Sequence, residues 1–262
     1  NRKKKNMVTA TTTTTKHKVV SPEEWRQARL KLLAREKALT KEREKVAASR
    51  RALPWVRISK SYRFQTTSGE VTLSDLFGEA SQLIIYHFMF GADWDEGCRS
   101  CSFLADSFDG VVHHLAARDV RLVACSSAPP AKLAEYARKM AWRFPWVSAA
   151  GSTFNADFHV TFDPDAPPEN NYNFGTGHFK AGPEAPGLSV FTKSEDGTIY
   201  HTYSAYARGL ENFIATYDFL DVVPKGRDEH SFDFPMAWVK RRFEYGDIDA
   251  DAWWSYLAPY GI

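Results

Sequence analysis

Two cysteines, Cys98 and Cys101, stand in Asp95-Glu96-Gly97-Cys98-Arg99-Ser100-Cys101-Ser102, after an apolar run from Leu83 to Phe90 and before a helical pattern. At a strand-to-helix joint this Cys-x-x-Cys spacing points to thiol chemistry. The unpaired amides and the dipole at a helix start favour the thiolate of the first cysteine. The second lies close enough on the first turn to attack a mixed disulfide. Two other readings use the same residues: a buried pair of small apolar side chains, or half of a zinc site. Zinc normally needs a second ligand pair, yet Cys125 lies inside the apolar run Val120 to Ser126, and His113 and His114 are adjacent rather than spaced. The spacing therefore favours redox chemistry with no metal and no cofactor, and Cys125 reads as a core strand residue.

Charges beside the dithiol act in opposite directions. Asp93, Asp95 and Glu96 disfavour a second negative charge, whereas Arg99 and the helix start favour it. If the acids face solvent, screening weakens them and the helix wins, so Cys98 is expected to be more acidic than a free thiol. Trp94 is expected to supply apolar cover beside the sulfurs, or else to pack on the body.

Composition bounds the class. With 262 residues and 44% hydrophobic content, the chain can build one sizeable core, and no apolar stretch is long enough to cross a membrane. Three cysteines are too few for a secreted disulfide scaffold, and no secretion signal is evident, so a reducing, cytoplasmic setting is expected. The six residues before Met7 are left out of the fold reasoning. Residues 1–18 carry six basic side chains and no acid, residues 21–52 carry ten basic against five acidic, and the formal total is +2, which leaves nine net negative charges elsewhere. The basic, threonine-rich stretch 1–20 is expected to be a disordered arm. An acidic body repels phosphates, so no nucleic acid partner is expected.

The elements follow from pattern. Ser21-Pro22-Glu23-Glu24 is a helix start with a capping serine, a first-turn proline and a glutamate three residues on. It predicts a helix across 21–53, stopped by Pro54. Its apolar positions Trp25, Leu32, Leu39, Val46 and Leu53 form one narrow stripe, suited to lie on the body or to join a homodimer. Residues 63–73 read as a hairpin turning at Ser68-Gly69, 82–90 as a central strand buried on both faces, and 98–118 as a helix. Then come a strand over 120–126, a helix over 130–140 and a short strand near 145–148. The order strand, helix, strand, helix predicts parallel strands. The stretch 161–186, with Tyr172, Phe174, His178 and Phe179, is too long for an ordinary connector and either walls the dithiol or packs as a surface loop. A hairpin of 187–193 with 198–203 and a helix over 210–220 close the domain.

This order looks like a thioredoxin fold: an α/β class with a central mixed sheet flanked by helices, a long N-terminal helix, a long loop insertion before the antiparallel hairpin, and a C-terminal extension. Four runs resemble a specific thioredoxin-like family, domain of unknown function 899, described as dithiol-disulfide oxidoreductases by inference. They are Tyr86-His87-Phe88-Met89-Phe90, Gly97-Cys98-Arg99-Ser100-Cys101-Ser102-Phe103, Arg51-Ala52-Leu53-Pro54-Trp55-Val56 and Pro224-Lys225-Gly226-Arg227-Asp228-Glu229. The resemblance covers about 21 to 230, dividing the chain into the arm 1–20, the helix 21–53, the domain 54–230 and the extension 231–262. It implies that Cys98 is the attacking thiol and Cys101 the resolving thiol. It also implies that Pro186 is the proline with a cis peptide bond whose neighbouring backbone receives substrate, with Trp94 and Arg99 alongside. Thioredoxins carry tryptophan before and glycine-proline between their cysteines, whereas here Gly97 precedes and Arg99-Ser100 intervene.

The expected activity is thiol-disulfide exchange on a disulfide-containing protein or a small-molecule thiol substrate, with an external thiol reductant restoring the dithiol. A thiol peroxidase is the alternative within the same chemistry. A thioredoxin-fold binding module with an idle dithiol is an alternative of another class, using the helix and the aromatic tail Trp253 to Tyr260 as partner surfaces.

Overall fold

A computed structural model describes residues 17–162, 171–176 and 182–245. Residues 1–16 of the expected arm 1–20, the residues His178 and Phe179, and the aromatic tail lie outside them. The chain divides into two compact units, Asn1–Ala52 and Leu53–Ile262.

The first unit holds helix α1 (Pro22–Arg51), whose start is the anticipated capping box. The Ser21 hydroxyl accepts from the Glu24 amide at 3.2 Å, and the Glu24 carboxylate accepts from the Ser21 amide at 3.0 Å. Arg50 and Arg51 in the last turn oppose the partial negative charge of the helix end.

The second unit runs β1 (Val56–Arg57), β2 (Arg63–Thr66), β3 (Gly69–Thr72), β4 (Gln82–His87), α2 (Arg99–Ala105), α3 (Phe108–Ala116), β5 (Val120–Ser126), α4 (Pro130–Lys139), β6 (Trp146–Ser148), α5 (Phe154–Asp157), β7 (Gly187–Lys193), β8 (Ile199–Tyr206) and α6 (Ala215–Leu220). They build one sheet in the order β1-β8-β7-β4-β5-β6-β2-β3. β4, β5 and β6 are parallel neighbours, and β7 lies antiparallel to both β4 and β8. The fold is thioredoxin-like: a mixed sheet flanked by helices, with α1 preceding it in the chain. Among the described residues no helix is long and apolar enough to cross a membrane.

β4 shows why its sequence is apolar throughout. Leu83 and Ile85 enter one core with Phe64, Val123, Cys125, Phe154 and Phe191. Tyr86 enters the opposite core with Cys101, Leu104, Phe108, Leu122 and Ala124. Alternate side chains of a strand point to opposite faces, so a strand covered on both sides cannot alternate with polar residues.

Two expected helices are interrupted. The helix after the dithiol breaks at Asp106–Ser107, where the Asp106 carboxylate accepts from Trp142 Nε1 at 2.9 Å and the Ser107 hydroxyl turns back to the Leu104 carbonyl at 2.8 Å. The closing helix is a 3-10 turn over Ala207–Phe213 followed by α6. At Asp106 a tertiary partner, Trp142, outweighs the local helical pattern.

A polar chain crosses the core beside β4. His87 is buried, with Nδ1 2.9 Å from Asn155 Oδ1 and Nε2 3.0 Å from Ser189 Oγ, and its ring stacks on Phe154 and Phe158. Ser189 meets Ser204 at 3.1 Å, and Ser204 meets His201 Nε2 at 2.8 Å. Burial lowers the pKa of His87 from 6.5 to about 4. The unfolded chain therefore binds more protons between these values. Stability is full above pH 6.5 and falls on acidification toward pH 4, by about 3 kcal/mol from this group. Urea unfolding at pH 7 and 4.5 should show this loss. His87→Gln, less stable at neutral pH, should lose less over the same interval, and equal losses would assign the acid sensitivity elsewhere.

Candidate active site

The site is built on the loop that leaves β4. Ser126 donates from its hydroxyl to the Phe88 carbonyl at 2.6 Å, and the Ala128 amide donates to the Phe90 carbonyl at 2.8 Å. The Phe90 amide donates to the buried carboxylate of Glu184 at 3.0 Å, and the Cys98 amide donates to the Met89 carbonyl at 3.1 Å. Gly97 lies flat on two rings: a Cβ there would stand 2.8 Å from Phe88 Cε1 and 3.0 Å from Tyr136 Cε1. Glycine precedes the first cysteine because no side chain fits between that backbone and the aromatic floor.

Cys98 caps α2, its Sγ accepting from the Cys101 amide at 3.5 Å. Its carbonyl accepts from both the amide and the hydroxyl of Ser102, at 2.9 and 2.8 Å. Both thiols are free; Cys98 is partly exposed and Cys101 is buried, with 2% of its surface accessible. The Cys98 pKa is lowered to about 7, first by a hydrogen bond from the Cys101 thiol, then by the amides of Cys101 and Ser100 and the charge of Arg241, against the opposing effect of burial. Burial pushes Cys101 well up, and the neighbouring Cys98 adds to this, while a hydrogen bond with the Tyr86 hydroxyl pulls the other way. Of the two thiols, Cys98 is therefore the one that ionises first.

The cation that acts on Cys98 is Arg241. Its Nε and Nη2 donate to the Gly97 carbonyl at 3.0 and 2.8 Å, and its Nη1 pairs with Glu244 at 2.7 Å. Only 13% of its side chain is exposed. Tyr136 joins this floor, its hydroxyl 2.9 Å from Ser102 Oγ. Arg99, expected to lower the thiol pKa, pairs instead with Glu244 at 3.2 Å and is largely exposed. Asp93 and Asp95 are exposed, and Glu96 is bound to Lys139.

Trp94 is partly buried on the same core as Cys98 and folds back over Gly91, its amide donating to the Gly91 carbonyl at 3.3 Å. Pro186 corrects the expectation from resemblance, since no cis peptide bond occurs among the described residues. The chain arrives at Pro186 extended, through an antiparallel bridge of Thr161 with Glu184, and continues into β7. The ordinary trans preference of X-Pro is therefore met. The Pro186 carbonyl accepts from the Tyr172 hydroxyl at 2.8 Å. Tyr172 is buried with Val160, Ala185 and Tyr206, so it packs its own loop. Phe174, by contrast, is exposed. Cys125 lies in the core as expected, its thiol pushed up by burial. Among the described residues no group of His, Cys, Asp and Glu converges to hold a metal ion.

Arg241, Tyr86, Tyr136 and Glu184 were not assigned site roles from sequence. The only local signal for Arg241 is the spacing Arg241-x-x-Glu244 in a stretch taken as an extension; its target, Gly97, is 144 positions away.

The profile of a family described as bacterial proteins of unknown function, DUF899, matches residues 14–245, farther at both ends than the resemblance read from motifs. No curated protein matches the chain. Among solved structures, the chain is similar to peroxidoxin BcpB from Mycobacterium tuberculosis, with 17% identity over 63% of this chain and 95% of that one and a TM-score of 0.42. It is similar to a cysteine-to-serine mutant of PrxQ from Xylella fastidiosa, with 10% identity over 60% of this chain and 88% of that one and a TM-score of 0.37. A third is the mitochondrial 2-Cys peroxiredoxin from Plasmodium falciparum, with 10% identity over 64% of this chain and 92% of that one and a TM-score of 0.36.

Two variants test this geometry. The rate of Cys98 alkylation should rise with pH through a midpoint near 7, and Arg241→Ala should move that midpoint upward; an unmoved midpoint would remove Arg241 from the site. Gly97→Ala should lower stability by about 1–3 kcal/mol, as overpacking does, and should slow alkylation of Cys98 as the loop lifts off Phe88 and Tyr136. Full stability with full reactivity would show that the floor is not tight.

Proposed function

The chain belongs to the DUF899 family, and we propose that it acts there as a dithiol-disulfide oxidoreductase with Cys98 as nucleophile and Cys101 as resolving thiol. The observation that carries this reading is the division of labour between the two sulfurs. Cys98 is partly exposed with its pKa lowered to about 7, while Cys101 is buried beside it and holds its proton. Near neutral pH a substantial fraction of Cys98 is thiolate, the form that attacks disulfides. In the exchange, the Cys98 thiolate attacks one sulfur of a substrate disulfide, and the other sulfur leaves as a thiolate that takes a proton. Cys98 is then uncharged, and its charge no longer disfavours a second anion at Cys101. Cys101 gives up its proton, attacks Cys98 Sγ, and releases the remaining substrate sulfur as a thiol. Two electrons have passed to the substrate, and an external thiol reductant reverses the steps on the enzyme. Tyr86, hydrogen-bonded to Cys101, is placed to stabilise that sulfur as it ionises.

A second reading, peroxide reduction, is favoured by Arg241, a mostly buried cation beside the nucleophilic sulfur that could polarise a peroxide oxygen. In that case Cys98 becomes a sulfenic acid and Cys101 condenses with it, releasing water. Arg99 is less suited to this purpose, because its side chain is largely exposed.

The Cys101→Ser variant should accumulate a mixed disulfide through Cys98 when offered a disulfide, visible by intact mass, and Cys98→Ser should accumulate none. Absence of adduct in Cys101→Ser would assign the fold to binding rather than exchange. Hydrogen peroxide consumed faster than any disulfide would move the assignment to the second reading.

A further inference from the structure

We propose that Glu229 is a positioning residue for the nucleophile: it pins the chain at Met236 and Trp238 against α2 and so fixes Arg241 on the Gly97 carbonyl beside Cys98. This role rests on the reading of Cys98 as nucleophile and deepens it. It also gives a task to Pro224-Lys225-Gly226-Arg227-Asp228-Glu229, a run that no step of the exchange uses.

The Glu229 carboxylate gathers its donors on one oxygen. Oε1 accepts from the Tyr217 hydroxyl at 2.8 Å, from Trp238 Nε1 at 2.6 Å and from the Met236 amide at 3.0 Å. Three donors on a single oxygen suit an anion, since a neutral carbonyl oxygen offers two lone pairs. Burial alone would raise the pKa of Glu229. The bonds from Trp238, Tyr217 and Met236 and the charge of Arg227 outweigh it and hold the carboxyl below its ordinary value, so the anion is present at neutral pH. Arg227 lies 3.8 Å over the Tyr217 ring and pairs with Asp221 at 2.7 Å and with Glu211 at 3.3 Å, which steadies the ring whose hydroxyl Glu229 binds.

What the carboxylate holds is a sharply bent piece of chain. Met236 has φ 71°, in the left-handed region that side chains rarely adopt, and its amide is one of the three donors. Its carbonyl accepts from the Val239 amide at 3.0 Å, closing a turn in which Val239 is buried. Met236 and Trp238 pack on the same apolar cluster as Cys98 and Cys101. Trp238 and Tyr217 both meet Phe103 of α2 edge-on, with 5.4 and 5.6 Å between ring centres. Just beyond this turn comes Arg241, with Nε and Nη2 on the Gly97 carbonyl. Glu229 therefore acts on Cys98 through Arg241 and not through its own charge. The sign of the effect separates the two. Removing a carboxylate that acted by its charge would make Cys98 more acidic. Removing one that seats Arg241 makes Cys98 less acidic, because the guanidinium leaves the Gly97 carbonyl and the thiolate loses its field.

The test follows the pH dependence of Cys98 alkylation, read by peptide mass in the full chain, for Glu229→Gln, Glu229→Ala, Arg241→Ala and the two double variants. Glu229→Ala should raise the midpoint by roughly half a pH unit or more, a fall in rate at pH 6 on the order of threefold. Glu229→Gln should raise it by less, because an amide oxygen keeps two of the three donors. In the Arg241→Ala background neither substitution should raise it further. An unmoved or lowered midpoint in the single variants, or a further rise on top of Arg241→Ala, would overturn the proposal. Urea unfolding of each variant verifies that the fold is present. Should Glu229→Ala not fold, the same comparison runs on Glu229→Gln and on Trp238→Phe, which removes one donor and keeps a ring against Phe103. Incubation with a disulfide keeps the two readings apart. A raised midpoint in a chain that forms no mixed disulfide removes exchange and leaves the positioning role, whereas an unmoved midpoint in a chain that exchanges removes the positioning role alone.

Discussion

Two sulfurs stand at the start of α2, and their surroundings decide which of them ionises first. Cys98 is reached by solvent and by donors: the Cys101 thiol, the amides of Cys101 and Ser100, and the field of Arg241. Cys101 lies in an apolar core between Tyr86, Leu104 and Ala105, where an anion is poorly solvated. The two titrations are coupled, so the second thiol is held protonated for as long as the first is ionised. In the proposed exchange, discharging Cys98 in a mixed disulfide would relieve that restraint.

Holding that charge draws on distant pieces of the chain. The residues after 228, which sequence reading set apart as an extension beyond 230, complete the site. Glu229 gathers the Tyr217 hydroxyl at 2.8 Å, Trp238 Nε1 at 2.6 Å and the Met236 amide at 3.0 Å. Phe103 of α2 packs edge-on against both Tyr217 and Trp238, and Val239 is buried. This packing delivers Arg241 to the Gly97 carbonyl, where its charge reaches Cys98. The loop 89–97 is pinned in turn by Glu184, which lies just ahead of β7. Both anchors lie far along the chain from the loop they hold.

Sequence pattern located the dithiol, the two-faced strand β4, β5 with its parallel direction, α4 and the β7–β8 hairpin. Each of these is encoded locally, by an unbroken apolar run, a period of 3.6 or a turn flanked by strands. Where a residue's partner lies far along the chain, local pattern carried little. The β2–β3 hairpin was legible, but its attachment beside β6, through Gln65 opposite Ser148, was not. The break at Asp106 depends on Trp142, whose position leaves no mark on the neighbourhood of Asp106.

What the amino-acid order determined alone was the chemistry available: a dithiol spaced to close on itself at a helix start, preceded by a residue small enough for the loop to lie flat. Tertiary structure added a distant cation, Arg241, whose charge acts on Cys98 from the far end of the chain. The physical reason is that charge and hydrogen bonding act through space over a few ångströms. Residues 98 and 241 become neighbours only after the sheet, α2 and the C-terminal segment have buried their apolar faces together.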